Sequence, residues 1–355
     1  MNRLLRTTVI GSYGRPTWLW AAKEQVRAGA FGAGDFGETL DDAVRMAIQD
    51  QEEAGVDLIT DGEMRREGFT LSFYERLGAV RKEAPSRRAG PLGYDTMPVY
   101  YLEGRIDAPQ GLGIREEFRQ ARPLALKPLK VGCPGPLTLL PRLPPVGGES
   151  TAEVTKVARE VAAVINRELK GLVEDGAEWI QVDEPALTRV TSEEPHRYPS
   201  SPSLRIEPAQ AVSLLNEAIA GVKAHITVHF CFGSYYSLHR SKRTYRPLLP
   251  ALFDLRADAL AIEFGNRELA ELELLREFPP DKEIVAGLID VKSYYVERPE
   301  DVAERVRRAL KFVAPDRLWV SPDCGFRFVP RWLARDKLRN MVAGVERVRG
   351  ECKKS

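Results

Sequence analysis

His229 and Cys231 are two metal-binding side chains separated by one residue. They sit in Ile226-Thr227-Val228-His229-Phe230-Cys231, an apolar run of strand length that leads into Phe232-Gly233-Ser234. On a strand, residues i and i+2 point to the same face. The pair can therefore hold one metal ion from a rigid backbone, and a mixed nitrogen and sulfur set suits zinc best. Two ligands do not complete a site, so other elements must bring more.

Apolar runs of strand length recur along the chain with amphipathic stretches between them. Thr7-Thr8-Val9-Ile10 runs into Gly11-Ser12, Asp57-Leu58-Ile59-Thr60 into Asp61-Gly62-Glu63, and Leu129-Lys130-Val131 into Gly132-Cys133. Trp179-Ile180-Gln181-Val182 ends in Asp183-Glu184-Pro185, ahead of the His229 strand. Ala259–Glu263, Ile284–Asp290 and Leu318–Val320 follow, the last ending in Ser321-Pro322-Asp323-Cys324. The stretches 39–55, 149–175, 207–223, 266–277 and 299–313 carry apolar residues at helical spacing, as in Val302, Val306 and Leu310. Strands alternating with helices imply parallel pairing, and eight such units close into a (β/α)8 barrel. The chain is expected to be one elaborated α/β barrel over residues 1–355, with an insertion at about 64–126. Within it, Met97–Gly104 reads as one arm of a hairpin over the barrel mouth. Gly32-Ala33-Gly34-Asp35-Phe36-Gly37 matches a dinucleotide fingerprint in letters only. It follows a predicted helix (17–29) rather than a strand, so it reads as a loop.

In this fold, chemistry gathers at the C-terminal strand ends. Ser12, Glu63, Asp183, Glu184, His229, Cys231, Glu263, Asp290 and Cys324 all fall there. His229, Cys231, Glu263 and Cys324 would give zinc one nitrogen, one oxygen and two sulfur donors. A lone cysteine in an apolar strand is usually packing, and a strand-end carboxylate often caps a helix. Four such residues at neighbouring strand ends favour the metal. A carboxylate among the ligands favours a catalytic site, because oxygen is the donor most easily displaced by a thiolate.

Composition narrows the partners. The 355-residue chain has 52 Lys+Arg against 51 Asp+Glu, which argues against a nucleic-acid groove or a polybasic membrane surface. No apolar run has the ~18 residues a membrane span needs, and the start lacks a signal peptide's apolar stretch. The four cysteines are far apart, so no disulfide framework is expected and a cytoplasmic setting is. Cys133 reads as packing, Cys352 as a solvated thiol, and His225 lies at the wrong strand end for chemistry.

Six motifs taken together resemble the cobalamin-independent methionine synthases, in their catalytic C-terminal barrel. They are Thr7–Ser12, Asp61-Gly62-Glu63, Gln181–Leu187, His229-x-Cys231, Glu263 and Asp323-Cys324-Gly325, in the family's order from about residue 6 to 345. The resemblance implies a zinc methyltransferase that converts homocysteine to methionine, with one zinc on His229, Cys231, Glu263 and Cys324. It places the amino-acid end of homocysteine against Ile10, Gly11, Ser12, Glu63 and Asp183. Carboxylates suit an ammonium, and hydroxyl and N–H donors suit a carboxylate. A free thiol is only a few per cent thiolate near neutral pH, and zinc coordination removes that obstacle.

Three departures from the family pattern bear on the methyl donor. An N-terminal half found in full-length members is missing, and no tryptophan follows the third strand in Pro134–Arg142. The family's proton-donating histidine after the seventh strand is replaced by Lys292 in Asp290-Val291-Lys292-Ser293. A folate amine leaves poorly unless protonated, whereas a corrinoid needs no acid. Lys292, taken with Asp183 as the catalytic pair, would be a poor acid near neutral pH. These points lead to methylcobalamin as the expected donor. The basic run His239–Arg243 reads first as a solvated loop, and with a corrinoid donor it would serve as a dock for an acidic corrinoid carrier protein. Two rival readings remain. One is a thiol alkyltransferase joining coenzyme M to epoxides, with Lys292 or Arg189 on the sulfonate; the other is a non-catalytic zinc or corrinoid barrel.

Overall fold

The computed structural model describes residues 4–84, 98–142, 150–190, 206–233 and 243–353. In chain order, helices α1 (Thr17–Arg27) and α2 (Ala33–Glu53) precede a single turn, α3 (Leu71–Tyr74). The hairpin β1 (Gly78–Glu83) and β2 (Val99–Asp107), helix α4 (Ile114–Ala121) and strand β3 (Lys130–Pro134) come next. Then follow α5 (Thr151–Glu174), β4 (Trp179–Asp183), α6 (Pro208–Ile219), β5 (His225–Phe230) and β6 (Ala259–Glu263). The chain ends with β7 (Glu283–Ile289), α7 (Pro299–Ala309), β8 (Leu318–Pro322) and α8 (Arg331–Cys352).

Strands β3 to β8 pair in parallel, each with its successor in the chain. The two N-terminal runs close the ring with single bridges rather than long ladders. Thr7 bridges Val320 on β8, Thr8 bridges Leu58, and Ile59 bridges Leu129. Their hydrogen bonds are of ordinary length: Thr8 N to Val320 O at 3.0 Å, Leu58 N to Thr7 O at 3.1 Å, and Lys130 N to Ile59 O at 2.8 Å. The expected (β/α)8 barrel is thus present among the described residues, with its first two strands reduced to bridges.

Alternation divides each strand between two cores. Outward residues such as Ile180, Val182, Val228, Phe230, Leu260, Ile284 and Leu318 are buried beneath the helices in one large cluster. Inward residues Ile10, Leu58, Ala259, Ala261, Val285 and Trp319 form a separate small cluster inside the ring. The helices present matching apolar stripes. In α5, Val154, Val157, Val161, Ile165, Leu169 and Leu172 are buried, and Ser150 with Glu153 forms a capping box at its start. α7 begins with Pro299 and buries Val302 and Val306.

Four local expectations fare differently. The insertion is a hairpin, with Lys82 opposite Tyr100 and Glu83 opposite Val99; Met97 lies outside the described residues. It is tied to the segment after β3 by the Tyr101–Arg142 bridge and to α5 by the Ile106 amide on Glu160 at 2.9 Å. The glycine-rich run is not a loop: Gly32 caps α2 and the residues after it are helical. The expected helix over 266–277 is two turns of 3-10 helix, because Glu268, Leu269 and Glu271 have φ of 52°, 63° and 64°. Of the basic run 239–243, only Arg243 lies among the described residues. Among those residues, no helix is long and apolar enough to cross a membrane.

Candidate metal centre and substrate pocket at the barrel mouth

Register brings the polar strand ends to one rim. Asp183 on β4 is level with His229 on β5, and Glu263 on β6 with Gly287 on β7. Three donor atoms, from His229, Cys231 and Cys324, lie within 4.8 Å of one another. The two sulfurs are 3.8 Å apart. Nδ1 of His229 bonds to the Ala261 carbonyl at 3.2 Å, which fixes the ring and leaves Nε2 for the sulfurs. That Nε2 is buried with no hydrogen-bond partner.

These residues fit zinc on geometry as well as on type. Tetrahedral coordination with zinc–sulfur bonds of about 2.3 Å separates two sulfurs by roughly 3.8 Å. An orphaned buried imidazole nitrogen is costly unless something binds it. Charge points the same way. The Cys324 thiol is held well below the usual thiol range, first by its hydrogen bond with Cys231 and then by His229 and Lys292. The same hydrogen bond, followed by burial, pushes Cys231 well up.

The framework around this trio is rigid. Thr188 Oγ1 donates to the Cys231 carbonyl at 2.9 Å, and the Gly233 amide to the Cys231 sulfur at 3.4 Å. Asp323, fully buried, accepts the amides of Phe264 (3.0 Å), Gly265 (2.7 Å) and Asn266 (2.6 Å). It thereby locks the end of β6 to the residue before Cys324. Glu263, the fourth expected ligand, is not in the converging group. Its Oε1 accepts the Lys292 ammonium at 2.9 Å and its Oε2 the Phe232 amide at 3.2 Å.

The expected amino-acid pocket adjoins the trio. Glu63 adopts a left-handed φ of 54°, with its amide on Asp61 at 2.9 Å. Such conformations cost about 1–3 kcal/mol and concentrate at functional sites. A Cβ on Gly11 would meet Glu63 Oε1 at 2.5 Å, so only glycine lets this carboxylate lie over the first strand. Glu63 Oε1 and Asp183 Oδ2 both lie 3.3 Å from where a Cβ on Gly132 would stand, which brings the two carboxylates to the same small space. Ser12 closes the circle: its Oγ would be 2.1 Å from a Cβ on Gly325, next to Cys324. The Ile10 carbonyl accepts from Gln181 Nε2 at 2.8 Å, and the same nitrogen donates to Asp183 at 2.6 Å.

Burial pushes both carboxylates up; in Asp183, Glu63 adds to this, while His229 and the Gln181 hydrogen bond oppose it. Arg66 opposes the effect at Glu63, and Lys130 at Asp183.

Sequence reasoning passes over the groups that support this pocket. Arg66, buried, binds Glu63 and Glu117 at 2.9 Å each and the Gly132 carbonyl at 2.6 Å. Lys130, also buried, reaches the Gln181 side chain at 2.6 Å. Strand alternation is the available signal for Lys130, since it shares its inward face with Gly132. Nothing local marks Arg66. Two residues expected to stay outside the chemistry do so: Cys133 is buried in the core, and His225 sits at the opposite barrel end, paired with Glu283 at 2.8 Å. Cys352, expected to be solvated, is only partly exposed and packs against the core.

Comparison with known proteins bears directly on this mouth. Residues 5–347 match the family model described as the catalytic domain of cobalamin-independent synthase. A methionine synthase of Sulfurisphaera tokodaii is 35% identical over 351 residues, covering 99% of this chain and 94% of its own. One from Saccharolobus islandicus is 34% identical over 353 residues, with 99% and 97% covered. Among solved structures, a B12-independent methionine synthase from Shewanella sp. W3-18-1, in complex with selenomethionine, superposes with a TM-score of 0.80. It is 28% identical, with 99% and 100% of the two chains covered.

These likenesses overturn methylcobalamin as the expected donor and the corrinoid carrier as an expected partner. The ion pair with Glu263 keeps Lys292 the poor acid it was expected to be, but the absence of a histidine at that position does not exclude a folate donor. The chain is an enzyme and belongs to the cobalamin-independent methionine synthase family, matching that family's catalytic domain.

Proposed function

We propose that the protein methylates the thiol of L-homocysteine to give L-methionine, with a methylated reduced folate as donor and one zinc held by His229, Cys231 and Cys324. The observation that carries this reading is convergence: a nitrogen–sulfur donor trio and a pair of buried carboxylates share one barrel mouth. When bound, zinc would supply the Lewis acidity that keeps a substrate thiol deprotonated at neutral pH.

The chain's own residues do the rest. Asp183 and Glu63 receive the substrate ammonium, which relieves the penalty that burial places on their charge. Ser12 offers a hydroxyl to the substrate carboxylate. Gln181 holds Asp183 in place, and Arg66 holds Glu63. Substrate sulfur and amino group would thus be fixed at two points, which is the orientation a methyl transfer needs. Selenomethionine in the Shewanella relative, a selenium analogue of the product, supports a methionine-shaped pocket. A coenzyme M substrate fits less well, because its sulfonate would face two carboxylates.

We further take residues 1–355 as one domain, with 64–126 as an insertion, working in the reducing cytoplasm that thiol donors require. The test is direct. Zinc-loaded protein should form methionine from homocysteine and methyl-tetrahydrofolate, as mono- or triglutamate. No methionine from either folate form would overturn the donor, and none from any methyl donor would overturn the reaction.

A further inference from the structure

Glu63 shares its cation with a carboxylate that lies outside the barrel strands. The buried Arg66 guanidinium gives each of its three nitrogens to a different partner. Nη1 donates to Glu63 Oε1 at 2.9 Å, Nη2 to the Gly132 carbonyl on β3 at 2.6 Å, and Nε to Glu117 Oε2 on α4 at 2.9 Å. Its central carbon lies over the buried Phe73 ring of α3, 5.2 Å from the centroid. A guanidinium presents a rigid fork of donors, so partners at two edges fix the third.

Helix α4 is anchored so as to present that carboxylate. Glu168 of α5, buried, accepts the amides of Leu112 and Ile114 at 2.9 Å and of Arg115 at 3.2 Å, which caps the start of α4 from a neighbouring helix. Gly111 makes room for this: its φ is 72°, and a Cβ there would meet Glu168 Oε2 at 2.7 Å. Arg115 also grips Asp175, just past α5, through bonds of 2.7 and 3.0 Å. Ile114, Phe118 and Ala121 are buried in the core, so one face of the helix is seated while Glu117 reaches Arg66.

We infer that Glu117 is a positioning residue for homocysteine: by sharing Arg66, it keeps that cation from neutralising Glu63 and leaves Glu63 negative toward the substrate ammonium. This rests on the reading of Glu63 and Asp183 as the ammonium site and deepens it, because the insertion as well as the barrel then sets affinity for the amino group. One guanidinium between two carboxylates leaves a negative charge over, which the ammonium offsets. With Glu117 neutral, Arg66 and Glu63 cancel each other and the ammonium loses part of its attraction.

Calorimetric titration of the zinc-loaded protein with two thiols tests this without a methyl donor. 4-Mercaptobutanoate keeps the thiol and carboxylate of homocysteine and lacks its amino group. The titrations are run near pH 8, above the value of about 7 to which burial pushes the Glu117 carboxyl. Glu117→Gln keeps an acceptor for Arg66 and removes the charge. It should weaken homocysteine about tenfold and leave the Kd of 4-mercaptobutanoate unchanged. Glu117→Ala serves as the second variant should the first not fold, with the same result expected. In an Arg66→Gln background, Glu117→Gln should leave the homocysteine Kd where it stands, because the shared cation is gone.

An unchanged homocysteine Kd in the Glu117 variants would overturn the inference. So would an equal loss for both thiols, which would make Glu117 a structural support only. A further loss in the Arg66→Gln background would also overturn it, since Glu117 would then act without Arg66. The ammonium reading is judged separately by Asp183→Asn. If that variant loses its preference for homocysteine over 4-mercaptobutanoate while Glu117→Gln keeps it, only the role of Glu117 falls; if the parent has no such preference, both fall.

Discussion

His225 and His229 lie on the same face of one strand, four residues apart, and the barrel treats them in opposite ways. At the floor, His225 Nε2 is 2.8 Å from Glu283, which also takes Arg6 at 2.6 Å. The ring lies 4.5 Å from Trp179 and 6.0 Å from Trp319. At the mouth, the Nε2 of His229 is buried and orphaned beside two sulfurs. Each ring thus has one bonded nitrogen and one buried nitrogen without a hydrogen-bond partner, Nδ1 in His225 and Nε2 in His229. What separates them is the company the ring keeps: among the described residues His229 converges with two sulfurs, whereas His225 lies against two tryptophans and a carboxylate already paired with Arg6. The two ends therefore divide the labour of a single ring: the floor holds the barrel shut and the mouth keeps groups available.

The largest expected contrast is in metal binding. Cys324→Ser or Cys231→Ser should weaken zinc by at least about a hundredfold and abolish methyl transfer. His225→Phe should keep one zinc per chain. Metal analysis after dialysis decides it, and equal zinc in all three variants would erase the division.

Next comes closure at the floor. Asp57 accepts the Thr7 amide at 2.9 Å and pairs with Arg349 of α8 at 2.5 Å, and Arg349 also holds the Leu5 carbonyl at 2.7 Å. Asp57→Ala breaks a buried pair and should cost about 3–5 kcal/mol in urea unfolding. It should leave zinc affinity in the folded protein unchanged.

A smaller effect is expected in the pocket. Asp183→Asn removes a charged hydrogen bond worth about 1.5–3 kcal/mol, or roughly ten- to a hundredfold in kcat/KM for homocysteine. Zinc should stay bound. If the variant treats homocysteine and a plain alkyl thiol as the parent does, Asp183 does not receive the ammonium.

The smallest effect concerns pH. Burial works to raise the Glu283 carboxyl, but His225 and Arg6 outweigh it and hold the group below its usual range. A group depressed on folding contributes stability above its unfolded value, near 4.3, and loses it as pH falls through the folded value. Because Glu283 is partly exposed, water screens the pair and the contribution should stay under about 1 kcal/mol. Glu283→Gln should flatten unfolding free energy below about pH 4.5 and leave it little changed in slope above. An identical acid limb in parent and variant would show that the floor pair adds nothing.

Much of the barrel was legible because its code is periodic. Alternation every second residue is enough to set His229 and Cys231 on one face. Helical spacing likewise places α5 and α7 to within a few residues. The stretch 266–277 shows where periodicity misleads. Its apolar spacing suits a helix, but Asp323 pulls the amides of 264–266 toward β8, and three positive φ values break the turn. Gly32–Gly37 fails the other way. Glycines suggest a loop, yet burial of Ala43, Val44 and Ala47 further along carries one helix back through Ala33.

By itself the sequence determined which chemistry was on offer: two sulfurs, an imidazole and carboxylates, each at the end of a strand. Residue type and strand period are local properties, and neighbours along the chain suffice to read them. Tertiary structure decided how those groups are shared. Lys292 lies 29 positions from Glu263, and Lys337 lies 40 from Glu297, yet each pair is buried at bonding distance. No local pattern announces such pairs, because a lysine after a strand reads equally well as a solvated charge. Closing the ring and seating α8 against the loop after β7 exclude water from them, and only then does an ordinary lysine become the buried partner of a carboxylate.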